Sequence, residues 1–178
     1  MLSKNELKKL RNFQEPLKGK WIAFGGNRWI SAKTFQRTML ITRELIRKKC
    51  KIVTGGAEGV DHAIVQACLK YRILTGHLKM YLPYTIQKQY EHYRKLEGPR
   101  KAKKLTEALV AIKKMYPRSV IENHKKFVNY RIAANYRNSL IERSASAMIM
   151  VSPKGSRGSA SVLRKAIRVK IPCLIFSS

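Results

Sequence analysis

Asp61 is the single aspartate in a chain of 178 residues, and the acids together number 10 against 38 lysines and arginines. So few acids exclude the balanced Lys–Glu surface of a heat-adapted protein. Cysteine is scarce too. Cys50, Cys68 and Cys173 are odd in number and lack CxxC spacing, which argues against a disulfide framework or a zinc site and for a reducing, cytoplasmic compartment. His62, His77, His92 and His124 show neither HxxxH nor HExxH spacing, so no metal is expected. No GxSxG elbow occurs, and Thr54 merely ends an apolar run, which disfavours a serine-type nucleophile. Neither GxGxxG nor GxxxxGK[ST] is present, which removes the dinucleotide fingerprint and the P-loop ATPase, and no cofactor is expected. No apolar run approaches the ~20 residues of a membrane span, and MLSKNELKKLRNF does not read as a secretory leader. There is no internal repeat and no low-complexity tract.

What the chain does have is positive charge and enough apolar content for one core. A formal net charge of +28 favours a polyanionic partner. With 44% hydrophobic residues, residues 1–178 are expected to form one domain.

The periodicity alternates between strand and helix. Ser3–Phe13 reads as a leading helix within residues 1–20, with Ser3 and Glu6 at capping-box spacing. Strands are expected at Trp21–Phe24, Cys50–Thr54, Leu78–Leu82, Ala147–Val151 and Cys173–Phe176. Helices are expected over Lys33–Lys49, Ala57–Tyr71 and Ala160–Val169. Short apolar strands alternating with helices predict an α/β fold: a Rossmann-like three-layer sandwich with a mostly parallel sheet. Residues 87–143 read as a basic helical insertion, broken at Gly98-Pro99 and Tyr116-Pro117. Its stripe Leu105, Leu109, Ile112, Tyr116 is apolar, and lysines cover the rest.

Three glycine turns fall directly after expected strands: Gly25-Gly26-Asn27-Arg28, Gly55-Gly56-Ala57-Glu58-Gly59, and Gly155-Ser156-Arg157-Gly158-Ser159. Without a Cβ in the way, such a turn can bring backbone N–H groups and a helix N-terminus close to an anion. In an open α/β sheet that edge is where ligands bind.

The order of these motifs resembles a known family. TGGAEGVDHAI is similar to the [ST]G[GL]AxGxD signature of the DprA/Smf DNA-processing proteins, part of a Rossmann-like group that includes LOG and YpsA-type nucleotide-binding proteins. IAFGGNR resembles that family's first strand and turn, YRNSLIERSASAMIMV its RN helix and following strand, and GSRGSASVLRKAI its Gly-Ser turn and helix. The LOG signature PGGxGTxxE is absent, and no winged-helix pattern follows the core. The resemblance implies binding of single-stranded DNA, loading of a recombinase onto it, and homodimerisation.

The expected phosphate or nucleic-acid contacts follow. N–H groups around Gly25, Gly26, Gly55, Gly56, Ala57 and Gly59, and from Gly155 to Ser159, would hold phosphates, with Asn27 beside them. Arg28 and Arg157 would contact phosphates at the rim, Arg137 would grip one bidentately, and Asn138 would reach sugar or base. Arg137-Asn138 could equally be a helix-end ion pair and cap. Asp61, in the first turn of a helix, is read as a positioning group that caps the helix or pins Arg137, and not as catalytic. Tyrosines interleaved with lysines after residue 80 are candidates for base stacking or for core packing. A binding protein is preferred to an enzyme. The alternatives are a sensor or hydrolase of a small nucleotide derivative in the same crevice, and an RNA-associated protein with the core as scaffold.

Overall fold

The first strand, β1 (Trp21–Gly26), sits in the middle of the sheet and is paired in parallel on both sides. The computed structural model describes residues 2–151 and 157–176. The other strands are β2 (Lys51–Thr54), β3 (Leu78–Tyr81), β4 (Val120–Ile121), β5 (Ala147–Val151) and β6 (Cys173–Phe176). They form one sheet in the order β4-β3-β2-β1-β5-β6, every pair parallel. The chain moves outward from β1 to β4 and then returns to β5 on β1's other side, so its direction reverses between β1 and β5. That reversal opens a crevice at the carboxyl ends of the two strands.

Helices cover both faces. The strand period of two sends Ile22, Phe24, Ile52 and Met80 to one face, where they pack with side chains of α1 (Lys4–Gln14), α2 (Ala32–Arg47), α3 (Val60–Tyr71) and α5 (Pro99–Met115). Ala23, Val53, Met148 and Met150 point to the opposite face, against α6 (Tyr130–Ser144) and α7 (Arg157–Arg168). The result is the Rossmann-like three-layer arrangement expected from the alternation. Local signals start the helices: the Ser3–Glu6 capping box at α1, the Ser31 hydroxyl on the Thr34 amide at α2, and Asn129 on the Ile132 amide at α6.

Some details differ from the sequence reading: Gly25 and Gly26, read as part of a turn, are the last two residues of β1 and pair with Met150 and Val151, and α7 begins at Arg157, ahead of the expected Ala160. Helix α3 begins at Val60, three residues after Ala57, because Gly59 takes a φ of +78° and delays the helix. The basic segment 87–143 is helical as expected, through α4 (Ile86–Glu97), α5 and α6, but it also contributes the edge strand β4. Its apolar stripe is core: Leu109, Ile112 and Tyr116 join the central cluster under the sheet.

Candidate nucleic-acid interface

The turn after β1 is held from both sides. A Cβ on Gly26, the last residue of β1, would stand 2.4 Å from Val60 and 2.6 Å from the Val151 carbonyl, so glycine lets α3 and β5 close around the end of the strand. The Asn27 carbonyl accepts from the Val60 amide at 3.2 Å, and the Ser159 hydroxyl donates to the Gly26 carbonyl at 2.9 Å. Asn27 and Arg28 are thus fixed at the edge of the crevice.

The second turn uses its glycines differently. Gly56 (φ +64°) faces the core, where a Cβ would meet Leu82 at 2.5 Å, and a Cβ on Gly59 would meet the Arg28 and Asn27 carbonyls at 2.2 and 2.3 Å. A Cβ on Gly55 would lie 2.0 Å from Nη1 of Arg137. These glycines make room for neighbours, and none of the three lines the crevice. Ala57 does.

Asp61 organises this region. Its carboxylate accepts from the Thr54 hydroxyl at 2.9 Å and the Ala57 amide at 3.1 Å. It also pairs with Nη1 of Arg137 at 3.4 Å, and that nitrogen donates to the Gly55 carbonyl at 2.9 Å. Arg137 reaches across from α6 and is only 8% exposed. Its Nε is buried and has no hydrogen-bond partner among the described residues. A guanidinium so far removed from water normally has every N–H satisfied.

These elements enclose a cleft of about 660 Å³. Of the sequence-predicted residues it brings together Gly25, Gly26, Asn27, Arg28, Ala57, Asp61, Arg137, Asn138 and Ser159. Gly155 and Ser156 lie outside the described residues, as does the side chain of Arg157, and Gly158 is placed only as part of α7. The sequence reading did not select Arg131 and Asn135, which also line the cleft. A usable signal was available: positions 131, 134, 135 and 138 repeat at the helical period and lie on one face of α6.

The cleft's electrostatics favour an anion. Arg28, Arg131 and Arg137 face two carboxylates, Asp61 and Glu58. Asp61 is taken up by Arg137, and Glu58 pairs with Lys101 of α5 at 2.5 Å. Lys101 also holds Glu97 at 2.8 Å, and its pKa is raised first by Glu58 and then by Glu97. At one wall the Tyr130 ring stacks on His92 at 3.7 Å and 9°, and the Arg28 guanidinium lies 4.9 Å from the Tyr130 centroid. Burial lowers the pKa of His92, with Arg28 and Lys95 adding to the effect, so the stacked imidazole is neutral at pH 7. Tyr93 and Tyr116 are core residues, not stacking platforms, with Tyr93 only 2% exposed.

Comparisons with known proteins agree with this fold. The family profile described as DNA recombination-mediator protein A matches residues 14–176. No curated protein sequence matches. The fold is similar to DNA processing protein A from Helicobacter pylori, whose single-stranded DNA binding mode is known (TM-score 0.67, 22% identity, covering 96% of this chain and 68% of that one). It is also similar to DNA processing protein A from Streptococcus pneumoniae (0.62, 16%, covering 91% of this chain and 52% of that one). The molybdenum cofactor carrier protein of Chlamydomonas reinhardtii shares the architecture at TM-score 0.55 and 12% identity, covering 88% of this chain and 75% of that one. With nearly its whole length matched, the chain belongs to the DNA recombination-mediator protein A family.

Proposed function

We propose that the cleft holds the sugar-phosphate backbone of single-stranded DNA and that the protein works as a binding protein. The observation that carries this is the set of arginines lining the cleft, Arg28, Arg131 and Arg137, the last of them oriented by Asp61 and the Gly55 carbonyl. A guanidinium held in place this way suits a phosphate, which it meets with charge-assisted bonds. Arg28 and Arg131 would contact flanking phosphates, and Asn138 a sugar or base. The H. pylori relative binds single-stranded DNA, and the net charge of +28 supplies attraction to any nucleic acid. Asp61 is committed to three donors and so is a positioning residue. Recombinase loading, self-association into a continuous positive groove and a cytoplasmic location complete this reading. No helix among the described residues is long and apolar enough to cross a membrane.

The test is anisotropy of labelled oligonucleotides over a salt series. Single strands are expected to bind more tightly than duplex, with a log–log slope of about −0.7 per phosphate contact. Arg137→Ala should weaken binding at least several-fold. Because removing Arg137 also strips Asp61 of its partner, Arg28→Ala serves as a second variant and should weaken binding in the same direction. Weak binding that ignores strandedness and both substitutions would overturn the proposal. The cleft would then be screened against small nucleotides, since its volume falls within the range of small-ligand sites, about 300–1,000 Å³.

A further inference from the structure

Beside the cleft lies a second groove of about 670 Å³, between α2, α3 and α5. Its floor is apolar: Ile30, Phe35, Met39 and Leu105. Lys101 and Lys104 stand at the α5 side, and His62 and Gln66 project from α3. Arg28, Trp29 and Glu58 belong to the linings of both hollows, so one thin wall separates them. At the crest of that wall Trp29 is 75% exposed. A tryptophan is among the largest apolar side chains, and leaving its ring in water forgoes most of what burial would contribute.

The two hollows differ in chemistry. The cleft presents arginines, asparagine and backbone polar groups, which suit phosphate and sugar. The groove presents aromatic and aliphatic surface with a cationic rim, which suits a flat heteroaromatic ring carried on an anionic chain. His62 tilts against Phe35 with ring centroids 6.0 Å apart. Burial, assisted by Lys104, lowers the His62 pKa to about 4, so the ring is uncharged at neutral pH and can exchange hydrogen bonds with a base edge. Arg28 and Trp29 both line the two hollows, so a strand with a phosphate at Arg28 passes the wall that carries Trp29.

We propose that this groove receives a nucleobase of the bound strand, stacked on Trp29 and seated over Phe35, Met39 and Leu105, while the cleft holds the backbone. The inference rests on the strand-binding reading above and adds a base-recognition subsite to it. Trp29 acts as the stacking platform, and the Glu58–Lys101 pair forms the wall between backbone and base.

The experiment compares an oligothymidine with a wholly abasic oligonucleotide of equal length, by anisotropy, at one salt concentration. Wild-type protein is expected to favour the base-bearing strand about tenfold, the equivalent of ~1.4 kcal/mol, within the range for one stacked base. Trp29→Ala removes the platform, and Gln66→Trp fills the groove. Either should reduce the preference to within about twofold, Gln66→Trp should do so with binding of the abasic strand at the wild-type level, and Trp29→Phe should keep most of the preference. Retention of the preference in Trp29→Ala or in Gln66→Trp overturns the proposal. So does equal weakening of both strands by Trp29→Ala, which would make Trp29 a backbone contact. Failure of either strand to bind wild-type protein would instead sink the strand-binding reading itself, and this inference with it.

Discussion

The residue on which the cleft depends most is one without a side chain. Gly55 leaves only enough room for the Arg137 guanidinium, which lies 2.0 Å from where a Cβ would be. Gly55→Ala must push that guanidinium out of its bonds with the Gly55 carbonyl and Asp61. It should lower stability by about 1–3 kcal/mol, as overpacking does, and weaken oligonucleotide binding as much as Arg137→Ala does. Gly56→Ala meets Leu82 and Met80 instead, so it should lower stability without a specific binding defect. Urea denaturation paired with anisotropy separates the two cases, and equal binding losses at both positions would contradict the assignment. From the sequence, the glycines of this turn looked alike, as phosphate cradles. The difference between them depends on which neighbour approaches each, and only the packed sheet supplies that. Asp61 and Arg137 were legible as partners because a lone carboxylate in so basic a chain needs a cation, and the turn and the RN pair were the available places.

Among the elements, α5 has an unexpected position. Lysines on its outer surface made residues 87–143 resemble an addition to the fold, yet its inner stripe reaches the central cluster. Leu109 is 2% exposed, and Leu109→Ala should cost about 2–5 kcal/mol. Lys103→Ala, on the exposed face of the same helix, should stay within about 0.5 kcal/mol. Chemical denaturation of the two variants checks this; a near-neutral Leu109→Ala would mean that the segment is peripheral. The strands of four to six residues were legible from apolar runs ending at glycine or proline. Strand β4 was not, since Val120–Ile121 is two residues long and carries no period. Its pairing comes from β3 drawing the chain alongside after α5 has crossed over.

For the whole molecule, charge acts on stability and affinity in opposite directions. A net charge of +28 repels itself in the compact state, and added salt screens that repulsion over about 10 Å at 0.1 M. The thermal midpoint should therefore rise as sodium chloride goes from about 0.05 to 0.5 M, while nucleic-acid affinity falls over the same range as counterion release weakens. A midpoint that falls with salt would mean that the surface ion pairs outweigh the repulsion. Charge and fold class were both readable from composition and periodicity. The shape of the cleft was not, since it depends on where the chain crosses back from β4 to β5.

That crossing has a further consequence. The cleft draws residues from the end of β1, the start of α3, the length of α6 and the first turns of α7, stretches separated by up to more than a hundred positions along the chain. No short contiguous fragment contains it. A ligand seated there therefore fastens the end of β1 to the start of α7, and it binds only molecules in which β1, α3, α6 and α7 have come together. Held at a hundred times its dissociation constant, it would add about 2.7 kcal/mol to the free energy of global unfolding. Occupancy of the site thereby becomes a report on the integrity of the whole polypeptide, and the cargo serves as the final fastening of its carrier.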